Sequence, residues 1–202
     1  CAIYSQEHGL NIELVIVFDR TDSMTIETFD DITLSGFSNI QKIFVDVGSL
    51  GLARNAGIEK AQGEYVWTAD ADDLVSKNSL LELYNTAQTF NTRNIVLFVE
   101  YLIAFGGSYH NARFFNGDVL CSGDFAFQHS FVSRIFTPRI TFEKVNYKDL
   151  KVTTGFAYED WDLNARLFNL GFKFTIANDT AMFYRQRDGS LLKQANSLSA
   201  NI

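Results

Sequence analysis

This sequence predicts an α/β fold with a mostly parallel central sheet flanked by helices, built as a single domain. Three observations carry that prediction. Residues 12–18 (Ile-Glu-Leu-Val-Ile-Val-Phe) and 41–45 are nearly continuous apolar runs, as strands covered on both faces require. Helical patterns alternate with such runs through the first 93 residues, the rhythm of an open sheet wound right-handed. Each run also ends in an acid, at Asp19, at Asp46 and in the group Asp70-Ala71-Asp72-Asp73. Ligands of such sheets collect outside the carboxyl ends of the strands, where these acids would lie.

The elements follow in order. Residues 1–6 read as the end of a helix already under way, and 23–29 as a short helix between the first two strands. Residues 49–62 form the next helix: Ala53, Ala56, Gly57 and Ala61 give it a close-packing face, and Gly63 stops it. Residues 64–69 make the third strand, and 76–90 a longer amphipathic helix carrying Leu80, Leu81, Leu83, Tyr84 and Ala87. Past Asn94 the alternation stops. Residues 95–105 are one long strand or two joined by a bend, and 109–120 an aromatic hairpin or loop. Residues 133–142 are strand-like around Pro138, the chain's single proline. Residues 159–170 are a helix ended by Gly171, with 172–176 and 181–184 as two short closing strands.

Composition removes several functional classes. In 202 residues, 47% apolar content with 19 Phe and 8 Tyr is ample for a core, which excludes disorder. A net charge of −7 argues against a nucleic-acid partner and leaves no polybasic membrane patch. No apolar run approaches the roughly 20 residues that span a bilayer, so this segment is expected to be soluble. Cys1 and Cys121 form no disulfide or metal pattern, which fits a reducing compartment, and the expected location is the cytoplasm. Three dispersed histidines do not make a zinc site.

The acid group after the third strand is the most informative feature. Like charges crowded at a strand end repel one another unless they are solvated or a cation sits among them. Carboxylate oxygens suit the hard ions Mg²⁺ and Mn²⁺, which keep open positions for phosphate oxygens. For an isolated Asp-x-Asp, a solvated turn capping the next helix through Asp73 or Ser76 is the better account, because the motif is short. Context decides between the two.

That context is a resemblance. Gly51-Leu52-Ala53-Arg54-Asn55-Ala56-Gly57-Ile58, then Ala61-x-Gly63-Glu64-Tyr65 and Asp70-Ala71-Asp72-Asp73, resembles the core of the family-two, GT-A-fold, inverting glycosyltransferases. Gly155-Phe156-Ala157-Tyr158-Glu159-Asp160-Trp161-Asp162-Leu163 is similar to the family's Glu-Asp motif, and Phe183-Tyr184-Arg185-Gln186-Arg187-x-Gly189-Ser190 to its closing segment. The resemblance implies that Asp19 contacts the nucleotide base, that Asp70 lies near the ribose, and that Asn55 helps to line the donor site. It implies that Asp72 binds a divalent cation, Mn²⁺ or Mg²⁺, on the sugar-nucleotide diphosphate. Asp160 is implied as the general base on the acceptor hydroxyl. The implied organisation is one glycosyltransferase domain over 1–202, with 1–93 the nucleotide-binding half, 94–192 the acceptor and closing half, and 193–202 a tail. The family's opening strand and its Ile-Pro-x-Tyr/Phe-Asn turn are not among these residues, and Gly48, Ser49 and Leu50 stand where relatives place Lys or Arg.

Each residue also has a plain structural reading. Asp19 could simply end a strand, and Asp160 could simply answer the dipole of its helix. Arg54 reads more readily as an exposed helix residue, and Trp161 as core rather than as a sugar-stacking platform. Arg185 and Arg187 suit a diphosphate or the acidic surface equally. The function expected is metal-dependent transfer from a nucleotide-sugar donor to a glycan or lipid-linked acceptor, in surface polysaccharide biosynthesis. Peripheral membrane association would run through parts outside this chain. The alternatives are a sugar-1-phosphate nucleotidyltransferase and a non-catalytic glycan-binding domain of the same fold.

Overall fold

A computed structural model describes residues 1–107, 110–127, 129–150 and 157–187. Tyr109, Gly155, Phe156, Gly189, Ser190 and the tail at 193–202 lie outside the described residues. The chain opens with α1 (Ala2–Glu7) and runs through β1 (Glu13–Asp19), α2 (Ser23–Asp30), β2 (Asn39–Val45), α3 (Leu50–Lys60) and β3 (Tyr65–Trp67). It continues with β4 (Leu74–Val75), α4 (Ser79–Gln88), β5 (Ile95–Phe105), β6 (Asn111–Arg113), β7 (Phe136–Pro138), α5 (Thr141–Lys144), α6 (Glu159–Asn169) and β8 (Lys173–Arg185).

The α/β architecture is the expected one, and its strand directions are mixed. β1 and β2 pair in parallel along their whole length, from Glu13 against Asn39 to Asp19 against Val45. The larger sheet has the order β3-β7-β5-β8-β4, with β6 paired to β5. Its long pairing, β5 with β8, is parallel, whereas the short pairings with β3, β4, β6 and β7 are antiparallel. The two ladders are not hydrogen-bonded to each other among the described residues, so β1 and β3 each keep an unpaired edge.

Residues 95–105 form one strand, and its bend is a bulge. The register with β8 shifts between Val99 and Tyr101. Buried Glu100 lies there, its Oε1 accepting from Arg113 Nε at 2.7 Å and its Oε2 from the Asp179 amide at 2.7 Å. The same bulge corrects the two short closing strands: they are one strand, β8, kinked at Asp179 with φ 58° and stitched by Thr180 Oγ1 to the Ala177 carbonyl at 2.6 Å. The 133–142 segment is also corrected. Its strand lasts only through Pro138, and Thr141 already starts a helix.

The core forms where the apolar runs predict it. Ile95, Val96, Leu97, Phe98 and Val99 are all buried in β5, and Phe98 stacks on Phe131 with ring centroids 4.3 Å apart. Phe125, Phe168 and Phe174 complete an aromatic cluster under α6. Leu81, Leu83 and Ala87 are the buried face of α4. On α3, a Cβ at Gly57 would stand 3.0 Å from Val17, and one at Gly51 would stand 2.3 Å from the Lys148 carbonyl oxygen. Small residues therefore let α3 lie against β1 on one side and against the 147–148 loop on the other.

Candidate active site

Asp19 ends β1 and turns its carboxylate to the N-terminus of α3. Oδ1 accepts from the amides of Val47 at 2.9 Å and Gly48 at 3.0 Å, and Oδ2 from that of Ser49 at 3.3 Å. Burial opposes its ionisation, but the three backbone donors outweigh burial and lower its pKa. Asp19 thus fastens the first strand to the start of the helix that carries Arg54 and Asn55.

Arg54 is the hub. Its buried guanidinium donates through Nη2 to Asp70 Oδ1 at 2.8 Å and through Nη1 to Glu159 Oε1 at 2.5 Å. It also lies over the Tyr147 ring, 5.3 Å from the centroid. Burial works against its charge, but Tyr147, Asp70 and Glu159 raise its pKa above the usual arginine value. A forked donor is suited to hold two carboxylates at once. Asn55, next along α3, donates to the Tyr147 carbonyl at 2.8 Å and accepts the Tyr147 amide at 3.0 Å. Its side chain therefore pins the loop before α6.

The acids of the turn after β3 face three ways, which resolves their mutual repulsion. Asp70 points to Arg54 and accepts a second bond from Ser133 at 3.3 Å. Burial would raise its pKa, yet Arg54 and Arg134 lower it. Asp73 turns inward, accepting the Arg185 amide at 2.8 Å, and burial raises its pKa. Arg134 sits beneath the turn, bonded to the Asp70 carbonyl at 2.7 Å and lying 3.5 Å from Asp73 Oδ2. Asp72 is left partly exposed, 32% by side chain, with the exposed Arg187 3.3 Å away.

Asp160 occupies the first turn of α6, entered through Tyr158 in a left-handed conformation with φ 62° and ψ 51°. A non-glycine residue held there is strained and must be fixed by its surroundings. Asp160 Oδ1 accepts the Trp161 amide at 2.9 Å, and Oδ2 lies 3.7 Å from His129 Nδ1. Because Arg54 binds Glu159, the start of α6 is drawn to the same guanidinium as Asp70. Trp161 packs against the core, donates to the Phe125 carbonyl at 2.8 Å and stacks parallel to His129.

The structure gives prominence to Arg54, Arg134 and His129. Arg54 lies in a quoted motif, yet its helical context reads as exposure. Arg134 and His129 carry no local signal, since each acquires its role from a distant element. No group of three His, Cys, Asp or Glu side chains able to enclose a metal occurs among the described residues. Of the acids in the turn, Asp72 is the most exposed, and a single carboxylate suits Mn²⁺ or Mg²⁺, which usually keep several waters.

Comparison with known proteins agrees with this fold. The model of "Glycosyl transferase family 2" matches residues 2–158. Glycosyltransferase GlyG of Streptococcus pneumoniae serotype 4 is 24% identical over 212 residues, covering 94% of this chain and 66% of that protein. An uncharacterized glycosyltransferase of Haemophilus influenzae is 32% identical over 76 residues, 37% of this chain and 30% of its own length. Among solved structures, Staphylococcus aureus TarS 1–349 in complex with UDP-GlcNAc superposes with a TM-score of 0.67 at 18% identity, over 94% of this chain and 52% of that one. GalNAc-T7 with UDP, GalNAc and Mn²⁺ gives 0.58 at 16% identity, over 92% of this chain and 41% of that one. This chain therefore spans from under a third to about two thirds of these relatives. No described helix is long and apolar enough to cross a membrane.

Proposed function

Because this chain belongs to glycosyl transferase family 2, we propose that it carries the catalytic domain of an inverting, metal-dependent glycosyltransferase. The enzyme moves a sugar from a nucleotide-sugar donor to a hydroxyl of a glycan or lipid-linked acceptor, in surface polysaccharide biosynthesis. Residues 1–93 form the nucleotide-binding half, 94–192 close over the acceptor, and 193–202 are a tail. It works in the cytoplasm, and any membrane association runs through segments outside this chain.

The observation that carries the reading is the Arg54 bridge, which holds donor-side Asp70 and Glu159, the neighbour of Asp160 at the start of α6, on one cation. Asp19 and Asn55 shape the nucleotide side by fixing the two ends of its wall, the 47–49 loop and the 147 loop. Asp70 lies by the ribose. Asp72 holds the divalent ion, which when bound offsets charge on the departing diphosphate. Asp160 takes the proton from the acceptor hydroxyl as that oxygen attacks the anomeric carbon from the face opposite the diphosphate, inverting the centre.

Calorimetric titration of UDP- and GDP-sugars into the protein, with and without Mn²⁺, tests the proposal. One donor should bind, and more tightly with the ion. Asp72→Ala should remove the ion's contribution while leaving the apo melting temperature nearly unchanged, since the exposed Asp72–Arg187 contact is worth about 0–1 kcal/mol. Absence of any nucleotide binding would favour the glycan-binding alternative instead.

A further inference from the structure

We propose that His129 is a positioning residue for Asp160: a neutral imidazole, protonated on Nδ1, that orients the carboxylate and supplies the hydrogen-bond donor that steadies its charge. This rests on the reading of Asp160 as the general base. The ring is held at one edge and one face, and its other edge looks at Asp160. Its Nε2 lies 2.9 Å from Asn164 Nδ2, and its Nδ1 faces Asp160 Oδ2 at 3.7 Å. Its face lies on the Trp161 indole, with centroids 5.8 Å apart and planes within 4°. Trp161 is in turn fixed by its bond to the Phe125 carbonyl. Asp160, Trp161 and Asn164 belong to the first turns of one helix, so α6 presents the carboxylate and the seat of the imidazole as a unit.

The tautomer follows from the partners. With the Asn164 amide nitrogen turned to the ring, Nε2 accepts from it and the single ring proton of a neutral imidazole sits on Nδ1, toward Asp160. A flipped amide would put Asn164 Oδ1 there and the proton on Nε2, the outcome that the ¹⁵N spectra distinguish. Burial lowers the pKa of the ring although Asp160 pulls it upward, so the neutral form prevails near pH 7. The charged and titratable groups around this pair are Asp160 itself, Glu159 beside it on α6, Arg54 from α3 and the Tyr147 phenol, which burial pushes up to about 12. The 3.7 Å gap is longer than a hydrogen bond, and contacts of this kind in unliganded enzymes shorten in the reacting complex.

Two measurements on the full-length protein decide the matter. Imidazole ¹⁵N shifts should show the Nδ1-protonated tautomer at pH 7, and Asp160→Asn should lower the His129 pKa further, because an anion that favours the imidazolium is gone. In UDP release from UDP-GlcNAc with Mn²⁺ and water as acceptor, His129→Phe keeps the aromatic stack but removes the donor. It should reduce kcat about 10-fold, the scale of one hydrogen bond to a charged group, and move the acid limb of the kcat profile to higher pH. His129→Gln, which retains a side-chain N–H, should recover part of both. An Nε2-protonated ring, a His129 titration indifferent to Asp160→Asn, or an acid limb unmoved in both variants overturns the proposal. Near-normal turnover by Asp160→Asn would instead sink the general-base reading itself. Loss by that variant together with wild-type behaviour of His129→Phe would sink only the role of His129. Should His129→Phe fail to fold, the ¹⁵N spectra and the pH limb of His129→Gln carry the decision.

Discussion

At Asp160 a helix dipole and a catalytic role make the same demand for a carboxylate. The first turn of α6 holds Glu159, Asp160 and Asp162, and all three would be favoured there without any chemistry. Their partners separate them. Asp162 is paired with Lys148 and Arg166, and Glu159 with Arg54, whereas among the described residues Asp160 accepts the amide of its neighbour and lies beside the His129 imidazole, with no Lys or Arg ion pair. Asp160→Asn keeps the shape and the accepting oxygen but removes the proton acceptor. In the full-length enzyme it should lower turnover by roughly 10²–10⁴-fold, the usual contribution of general base catalysis. Donor affinity should stay nearly constant, because the base acts on the acceptor. Measuring transfer and donor binding on the same variant separates that outcome from a helix-start role, which would leave both intact.

At the scale of elements, α3 organises the site. Its N-terminus is held by Asp19, its middle by Arg54 on Asp70 and Glu159, and its flank by Asn55 on Tyr147. One helix thus ties the end of β1, the acid turn and the start of α6. Arg54→Ala would leave two carboxylates buried without their shared cation, and losing one partner of a buried pair costs about 3–5 kcal/mol. Chemical denaturation should register that loss. Arg54→Lys keeps the charge but cannot fork, so it should recover stability only in part and still impair transfer. Full stability and activity in Arg54→Ala would mean that α3, the acid turn and α6 are held together by packing alone.

For the whole molecule, the buried acids set how stability depends on pH. Asp70 titrates below its ordinary 3.8, burial being outweighed by Arg54 and Arg134. A depressed carboxylate contributes stability that is present above about pH 3.8 and lost as the pH falls through the lowered value. Glu159 behaves oppositely. Burial first, then the Asp160 charge, raise it above its ordinary 4.5 despite Arg54. There the folded state binds the proton more tightly than the unfolded one, so this group's contribution improves as the pH drops toward 4.5. Loss of Asp70's contribution should therefore set in below about pH 3.8. That of Glu100, whose burial is outweighed by the Asp179 amide and Arg113 so that it titrates below its ordinary 4.5, should start somewhat higher, and protonation of Glu159 should not itself trigger unfolding. Melting temperatures against pH should show Glu159→Gln flattening the curve just above pH 4.5 while the steep fall below 3.8 remains.

Periodicity and turn chemistry were enough to reveal β1, β2, α3, α4 and α6, because each buries a regular face that its own residues encode. The acids at the strand ends and the motif blocks were legible for the same reason: they lie within a few positions of one another. β8 was not, since its continuity through Asp179 depends on Glu100, a residue 79 positions away. Nor could local pattern show which acid of the turn stays open. Asp73 is turned inward by Arg185, 112 positions on, and Asp70 by Arg54, leaving Asp72 exposed. Fold class, family and the carboxylates available for chemistry can all be read along the chain. Which cation each carboxylate meets emerges in three dimensions, because those pairings join residues as far apart as Arg54 and Glu159, 105 positions, and the buried charge of each selects its partner through space.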